Sequence, residues 1–365
     1  MLFRLFSRQI KPDEVVVFYP TYATWNDDAQ AWKVAFHASV HEPRHPGFRR
    51  TALMSIMRRA LRISAADART ELFQQRSQLF LVDHERGKEI EIRCGSLAIP
   101  LGRTAPNGHV VNSALLSGEQ LTGCIPAPLT PDGPAIRWQH FTAILQEQDS
   151  RQFQGCWQSI PPRGISVISD IDDTIKISQV TDRRQLLANT FLHPFQAVPG
   201  MAEVYARWAA RDVAFHYVSS SPWQLYPVLE EFRSERGFPQ GSWHLRFFRL
   251  SDRSGWSFLR SPTKYKQELI TAILRDFPQR RFLLVGDSSE QDPEIYGAVA
   301  RKFPEQVEKI WIRNSPTAPR QAIPPVDPAM RFAAAFHGLP SEQWKIFHEA
   351  GELPKDLCAP AATVG

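Results

Sequence analysis

Cysteine is scarce in this sequence, and its four copies lie too far apart to act together. Cys94, Cys124, Cys156 and Cys358 include no C-x-x-C pair, which argues against a zinc site. Scattered thiols in a chain of 365 residues are typical of a reducing compartment. We therefore predict a cytoplasmic location.

Long hydrophobic runs are also missing. No apolar run approaches the roughly 18 residues that a membrane-spanning helix needs. Arginine interrupts the first eight residues, which lack the long apolar core of a signal peptide. We expect this start to be frayed or packed at an edge, and the alternative is that it dips into a membrane interface.

The excess of positive charge is small, with a formal net charge of +5. This value is compatible with weak attraction to anionic phospholipid surfaces, and it gives no indication of a nucleic-acid partner. The sequence identifies no protein partner. With 43% hydrophobic and 22% charged residues, the composition is that of a globular protein, and the length is sufficient for two domains.

The part of the chain up to about residue 158 has the pattern of β-structure. Apolar residues alternate with more polar ones over 32–41, and residues 78–82 and 89–93 are typical of further strands joined by a turn. Short strands separated by glycine and proline favour a small sandwich or barrel. The sequence predicts a β-rich N-terminal module over residues 1–158.

Residues 49–63 break this pattern. Apolar residues follow helical spacing at Leu53, Ile56, Met57, Ala60 and Leu61. Arginine occupies positions 44, 49, 50, 58, 59 and 62, with no acidic residue among them. One interpretation is a helix packed on the sheet with a solvated arginine face. The other is an amphipathic helix on an anionic membrane, which would make the protein peripheral to membranes.

Beyond the proline-containing segment 156–164, strand and helix patterns alternate. Strands are predicted at 165–169, 213–218, 281–285 and 307–312, and helices near 200–211, 222–236, 264–277 and 293–303. This alternation predicts an α/β domain with a Rossmann-like parallel sheet over residues 159–315. Residues 316–365 read as a proline-containing linker, a short helix near 328–337 and a tail.

An acidic run, Asp170-Ile171-Asp172-Asp173-Thr174, follows the first of these strands. Ligands bind at the carboxyl ends of strands in open α/β sheets. Three carboxylates within four residues repel one another unless a cation or a phosphate-transfer task holds them there. The alternative is an acidic loop that caps the next helix. We favour metal-assisted phosphoryl chemistry.

Polar residues also follow the next two predicted strands. Ser219 can place its hydroxyl on a phosphate oxygen, whereas Ser221 precedes a proline and fits a helix N-cap. Asp287 follows Gly286 at the end of the third strand, and we predict it to be a second metal ligand. Mg²⁺ suits such hard oxygen ligands. Asp292 precedes a proline and also fits an N-cap.

Two lysines begin the predicted helix 264–277. The apolar residues of this helix place Lys266 close to the middle of the buried stripe and Lys264 nearly opposite. A lysine on the buried face is costly unless it neutralises an anion. We therefore select Lys266 as the phosphate-neutralising residue; the alternative is that it snorkels along the helix to solvent.

The order of these features resembles the four motifs of the haloacid-dehalogenase superfamily of aspartate-nucleophile phosphatases. Its D-x-D-x-T signature corresponds to Asp170, Asp172 and Thr174. The longer stretches 168–176, 215–224, 274–278 and 284–296 resemble the magnesium-dependent phosphatidate phosphatases of the actin-patch type, over about 165–313. Residues 18–25 are also similar to the opening of that family, less specifically.

The resemblance implies a catalytic role for each acidic strand-end residue. Asp170 would be the nucleophile and form an aspartyl-phosphate. Asp172 would protonate the leaving oxygen and then activate water. Asp170 and Asp287 would bind Mg²⁺ together with the backbone carbonyl of Asp172.

The remaining motif residues would act around the phosphate. Ser219 and Lys266 would hold and neutralise the transferring phosphoryl group, with Ser220 beside them. Asparagine is common among relatives where this chain has Ser220. Thr174 would support the loop of the acidic run, and Asp292 would contact the metal ligands without binding the metal itself. No role follows for Asp173.

The spacing of the motifs leaves little room for a cap domain. The intervals 175–219 and 219–266 contain no large insertion, so we expect an open site, which suits a head group presented from a bilayer or a macromolecule better than a small free metabolite. The expected function is Mg²⁺-dependent hydrolysis of phosphatidate, or a related phospholipid monoester, to diacylglycerol and phosphate. The alternatives are a phosphatase of soluble or protein phosphomonoesters, and a non-catalytic membrane or protein adaptor.

Overall fold

A computed structural model describes residues 8–43, 55, 59, 63, 64, 66–121, 136–247, 263–314 and 327–357. These residues fall into two compact units. The first comprises the described parts of Met1–Arg62, Ser77–Pro162 and Gly241–Trp243, and the second those of Ile63–Arg76, Arg163–Gln240 and His244–Gly365. Within the described ranges no helix is both long and apolar enough to cross a bilayer.

Three predictions concern mainly residues outside the described ranges. Of the basic helix at 49–63, only Ser55, Arg59 and Ile63 are described, so that prediction lies outside the described residues. The same holds for the linker that follows residue 314 and for the tail from 358 onward.

The N-terminal unit contains one hydrogen-bonded sheet of nine strands, in the order β1-β3-β2-β9-β8-β5-β6, with β4 and β7 also paired to β3. The strands are β1 (Val15–Phe18), β2 (Thr21–Asn26), β3 (Ala31–Glu42), β4 (Asp83–His84), β5 (Glu89–Cys94), β6 (Leu97–Arg103), β7 (His109–Leu116), β8 (Arg137–Ala143) and β9 (Gln154–Ser159). Two helices lie in the same stretch of sequence: α1 (Glu71–Gln78), whose residues 71–76 belong to the second unit, and α2 (Gly118–Leu121). The β-rich character that the sequence predicted is confirmed; a sandwich or barrel stays a prediction.

One predicted strand in this region is wrong. Residues 78–82 do not form a strand, because α1 runs to Gln78 and the chain then turns, with the N–H of Leu81 donating to the carbonyl of Gln78. Phe80 and Leu81 are nevertheless buried. A short apolar run has the same appearance whether a strand or the end of a helix delivers it to a core.

The core of the N-terminal unit is rich in aromatic residues. The rings of Phe36 and Trp157 meet edge to face at 5.5 Å, and those of Phe18 and Phe141 at 4.9 Å. Gly155 lies against this cluster, where a side chain would collide with Phe141 and Phe18. Large aromatic surfaces contribute most of the burial that holds such a sheet together.

The second unit contains a six-stranded sheet in the order β12-β11-β10-β13-β14-β15. Its strands are β10 (Ile165–Ser169), β11 (Ala214–Pro222), β12 (Ser242–Arg246), β13 (Arg281–Asp287), β14 (Val307–Arg313) and β15 (Trp344–Phe347). β10 pairs in parallel with β11 and β13, and β14 pairs in parallel with β13 and β15. The prediction of an α/β unit with a parallel sheet is confirmed.

Besides part of α1, six helices accompany this sheet among the described residues. They are α3 (Arg183–Phe191), α4 (Met201–Ala209), α5 (Tyr226–Glu235), α6 (Thr263–Asp276), α7 (Asp292–Lys302) and α8 (Pro328–Ala335). The sequence patterns missed α3, β12 and β15. In α3 the buried residues are only Leu187, Thr190 and Phe191, and in the four-residue β15 only Phe347 is fully buried, so neither carries a strong periodic signal.

The position of β10 determines where the acidic run lies. All five residues of β10 are buried, and the strand lies between β11 and β13. Because the three strands are parallel, their carboxyl ends meet at one edge of the sheet. The segments that follow Ser169, Val218 and Val285 therefore come together there.

Candidate active site

Asp170 occupies the centre of this edge. Its N–H donates to the carbonyl of Val285 at 2.8 Å, which extends the pairing of β10 with β13 by one residue. The carboxylate is 1% exposed. Thr174 donates to Oδ2 at 3.0 Å, and the Nζ of Lys266 lies 2.7 Å from Oδ1. Each oxygen is thus held by one donor, which orients the side chain.

Lys266 bridges two carboxylates. Its Nζ lies 2.7 Å from Asp170 and 2.5 Å from Asp292, and the side chain is 1% exposed. Lys264 is exposed, so the helical spacing predicted correctly which lysine faces the core. Burial by itself would lower the pKa of Lys266, but the charges of Asp170 and Asp292 raise it well above its usual value. The lysine is therefore a fixed positive charge at the strand ends.

Three carboxylates converge beside this lysine. Asp170, Asp287 and Asp292 each place one oxygen within 4.8 Å of the others, and all three residues are buried. Oδ2 of Asp287 accepts the N–H of Ser289 at 2.8 Å, whereas its Oδ1 is buried without a hydrogen-bond partner among the described residues. Burial, followed by the charge of Asp292, raises the pKa of Asp287 well above its usual value.

Lys266 forms ion pairs with Asp170 and Asp292, whereas Asp287 has no ion pair within the described part of the chain. A buried carboxylate oxygen without a donor is costly. Oxygen ligands alone are the set that hard divalent cations take. The geometry therefore fits a cation site.

Gly286 and Asp292 complete this arrangement. Oδ2 of Asp292 accepts the N–H of Asp287 at 3.3 Å. A Cβ added at Gly286 would collide with the Asp292 carboxylate and with Tyr296, so only glycine allows this approach. α7 starts at Asp292, and its N-cap is Gln291. The alternative role of Asp292 as a helix cap is therefore wrong, and its carboxylate points to Lys266 and to the carboxylates of Asp170 and Asp287.

Asp172 lies in a different environment from the other carboxylates. Its Oδ1 is 2.8 Å from Lys176 and accepts from Ser178 at 2.6 Å. Its Oδ2 accepts from the hydroxyls of Ser219 at 3.1 Å and Ser221 at 2.9 Å. Burial would raise the pKa of Asp172, but the charge of Lys176 and these hydrogen bonds outweigh it and lower the pKa to about 2.

The structure thus separates the predicted metal ligands. Asp170 and Asp287 lie together with Asp292, whereas the Asp172 carboxylate belongs to the lysine and serine group. A contribution of Asp172 through its backbone carbonyl stays a prediction. The sequence suggested the right strand end for each residue. The side-chain directions, which the sequence does not show, separate the carboxylate cluster from Asp172.

The serines at the end of β11 also differ from expectation. Ser219 and Ser220 are buried, and Oγ of Ser219 accepts the N–H of Ser221 at 2.9 Å. The prediction that Ser221 caps the following helix is wrong. β11 continues to Pro222, a 3₁₀ turn follows, and α5 starts at Tyr226 with Leu225 as its N-cap. Ser221 is therefore free to donate to Asp172 instead.

Asp173, for which the sequence suggested no role, shapes the loop. Its backbone has φ 56°, in the left-handed region where aspartate is among the better tolerated residues. Its Oδ1 accepts the N–H groups of Ser178 and Gln179, and its Oδ2 that of Val180, each at 2.8 Å. Asp173 thereby folds the chain back over the acidic run.

Lys176 is the functional candidate that the sequence patterns missed. It is 2% exposed, donates to Ser178 as well as approaching Asp172, and lies 4.8 Å above the ring of Phe195. Its position, two residues after the D-x-D-x-T signature, is a signal from which the sequence could have suggested a role for this lysine. A buried lysine needs an anion beside it, and Asp172 was the acidic residue one helical turn away.

A pocket of about 330 Å³ opens beside this group, between the loops that follow β10, β11 and β13. Its polar side is lined by Asp172, Lys176, Ser220, Ser221 and Glu290. Its other side is apolar. Asp170, Lys266 and the three-carboxylate cluster lie at the same sheet edge, so a phosphate bound to them would leave the rest of a substrate in the pocket.

Residues 165–314 match the model of a protein family described as phosphatidate phosphatase APP1, catalytic domain. Phosphatidate phosphatase APP1 of Saccharomyces cerevisiae is 40% identical over 158 residues, which are 42% of this chain and 26% of the yeast protein. An uncharacterized protein of Schizosaccharomyces pombe is 36% identical over 155 residues, 41% of this chain and 25% of that protein. The chain thus spans about a quarter of the length of these curated relatives.

All predicted site residues lie within the matched segment. The match supports the resemblance to actin-patch-type phosphatidate phosphatases for this part of the chain, and the interpretation of the segment as the catalytic domain of a phosphoric monoester hydrolase. The wider superfamily assignment stays a prediction.

Proposed function

We propose that this chain is a Mg²⁺-dependent phosphatase that hydrolyses phosphatidate, or a related phospholipid monoester, to diacylglycerol and phosphate. One observation carries the proposal. A buried carboxylate, Asp170, is oriented by Thr174 and Lys266 beside a cluster that fits a cation, in a segment similar to a phosphatidate phosphatase catalytic domain.

In the proposed reaction Asp170 attacks phosphorus, the bond from phosphorus to the alcohol oxygen breaks, and an aspartyl-phosphate forms. Asp172 takes up the proton of a monoanionic phosphate ester, passes it to the leaving oxygen, and later takes one from the water that hydrolyses the intermediate. Its four donors hold the carboxylate at the pocket and favour its ionised form, so they support its role as the base. The alcohol leaves through the pocket, and the carboxylate of Asp170 is restored.

Mg²⁺ would be held by Asp170 and Asp287, with the Asp172 carbonyl as a further ligand and Asp292 beside them. The donorless oxygen of Asp287 supports this assignment. When bound, the cation supplies positive charge to the oxygens of the transferring phosphoryl group. Lys266, Ser219 and Ser220 would bind the same group from the protein side.

The proposal extends to the organisation of the chain. The catalytic domain would cover 159–315, with a Rossmann-like sheet of haloacid-dehalogenase type and no large cap, after a separate module over 1–158 and before a C-terminal extension over 316–365. We propose a cytoplasmic protein in peripheral contact with anionic membranes, where its substrate lies.

The test is phosphate release from phosphatidate in liposomes, measured with Mg²⁺ and with EDTA. We expect release with Mg²⁺, none with EDTA, and none from Asp170→Asn. Lys266→Ala should abolish turnover while Lys264→Ala, the matched control on the exposed side of α6, leaves it unchanged.

Each alternative predicts a different result. Faster hydrolysis of soluble or protein phosphomonoesters than of liposomal phosphatidate would identify a phosphatase of those substrates. Inactivity of the wild type on every ester would favour an adaptor. Unchanged phosphate release by Asp170→Asn would exclude the aspartyl-phosphate mechanism.

A further inference from the structure

The pocket beside Asp172 has an apolar side that the phosphate chemistry does not use. Its apolar lining consists of Val180, Leu186, Phe195, Pro222, Leu225 and Leu229. These residues come from the loop after β10, from α3 and the loop that follows it, from the end of β11, from the 3₁₀ turn after β11 and from α5. An apolar wall assembled from separate elements is a built feature of the site, since no single helix or strand supplies it.

The wall extends from the rim of the pocket to its floor. Val180 and Leu186 are half-buried, whereas Phe195, Leu225 and Leu229 are buried. On the polar side, Lys176 and Ser221 both interact with Asp172. A ligand that enters past Asp172 therefore meets hydrocarbon on one side and polar groups on the other.

We propose that this apolar side binds the first carbons of one hydrocarbon chain of the leaving alcohol. The inference rests on the proposed function. Asp172 must reach the leaving oxygen, so the glycerol attached to that oxygen, and the start of an acyl chain esterified to it, lie in the pocket that Asp172 lines. The enzyme would then select an apolar alcohol by direct contact, in addition to any selection by a membrane surface.

The proposal predicts a dependence on chain length that is independent of membranes. Transfer of each methylene from water to an apolar wall changes an equilibrium roughly two- to fourfold in the favourable direction. The gain should accumulate with each carbon until the pocket is filled and then stop. A site that recognises only the phosphate would show no such series.

The experiment uses n-alkyl phosphates from ethyl to decyl phosphate, each below the concentration at which it forms micelles, with the full chain and Mg²⁺. We expect kcat/KM to rise roughly two- to fourfold per methylene and then to level off. Leu186→Gln should lose most of this rise, with the largest loss for the longest chains. Leu192→Gln is the matched control, since Leu192 is a half-buried leucine at the end of the same helix and does not line the pocket.

A second variant keeps the proposal testable if Leu186→Gln does not fold. Leu229→Ala enlarges the floor of the pocket, so the levelling-off should move to longer chains. A flat series in the wild type, or no hydrolysis of alkyl phosphates while liposomal phosphatidate is hydrolysed, would overturn the inference alone. Inactivity on phosphatidate and on every alkyl phosphate would overturn the proposed function with it. An equal loss in Leu186→Gln and Leu192→Gln would also count against the apolar wall.

Discussion

Asp287→Asn tests the cation site through stability instead of activity. The wild-type carboxylate has a buried oxygen without a donor among the described residues, and it lies within 4.8 Å of oxygens of two further carboxylates. Asparagine keeps the shape and the oxygen that accepts from Ser289, removes the negative charge, and places an NH₂ donor toward the other two carboxylates. At a pH high enough to ionise Asp287, whose pKa is raised, the variant should therefore be more stable than the wild type when no cation is present.

The expected gain is about 1–3 kcal/mol, the usual cost of a buried acceptor left unsatisfied. For a unit of this size that corresponds to a rise in Tm of roughly 2–10 °C. With Mg²⁺ the order should reverse. The wild type gains stability from cation binding by mass action, whereas the variant has lost a ligand and gains little.

The assay is thermal unfolding in EDTA and across a Mg²⁺ series. Asp182→Asn is the control, because Asp182 caps α3 through its side chain and asparagine caps equally well, so its Tm should not change in either condition. A lower Tm for Asp287→Asn in EDTA would refute the reasoning, since it would mean that the carboxylate is stabilised by its surroundings. Equal Mg²⁺ responses of variant and wild type would place the cation elsewhere.

Three further predictions concern other parts of the chain. Asp173→Ala should lower the free energy of unfolding by about 2–4 kcal/mol, because three hydrogen bonds to a carboxylate are lost at a left-handed residue. Asp173→Asn should lower it by less, and urea unfolding measures both variants. Gly286→Ala should reduce kcat by roughly 100-fold or more by displacing Asp292, measured on liposomal phosphatidate. In the N-terminal unit, burial, with the charges of His84 and His41, lowers the pKa of His109 to about 3. Stability should therefore fall below pH 6.5, by up to about 1.4 kcal/mol per pH unit, because only the unfolded chain takes up that proton.

Each of these has a result that would contradict it. Equal costs for the alanine and asparagine variants at Asp173 would mean that its carboxylate does not hold the loop. Normal turnover by Gly286→Ala would show that Asp292 tolerates displacement. For His109, the acid sensitivity should shrink in His109→Gln, and urea unfolding at pH 7 and pH 5 compares the two proteins; an identical pH dependence would assign the effect to other groups.

The edge of the parallel sheet was predictable because local signals agree there. β10, β11 and β13 are apolar and β-branched or aromatic runs that end at polar residues, so strand type and strand end are both visible in the sequence. Lys266 was also predictable, since the 3.6-residue period of α6 distinguishes its two lysines. Where an apolar run was short, as at Phe80 and Leu81, the same reasoning assigned a strand that does not exist.

The side-chain partners were not predictable in the same way. Asp172 pairs with Lys176 and two serine hydroxyls, and Asp292 joins Asp170 and Asp287. These choices depend on the direction of each side chain after the strand ends. That direction changes when a residue adopts a left-handed conformation, or when a helix starts earlier or later than the sequence predicts. Neither event changes the pattern of apolar residues.

The sequence by itself determined that three parallel strands carry Asp170, Ser219 and Asp287 to one edge of a sheet, because periodicity and strand-end polarity are local properties of the chain. Only the tertiary structure decided which carboxylates share a cation site, that Lys176 belongs to Asp172, and that an apolar wall from α3, β11 and α5 lines the pocket beside them. These groups bring together residues that are far apart in the sequence; Asp170 and Asp292, for example, are 122 positions apart. Packing of separate elements, and not any local preference, brings them within a few ångströms.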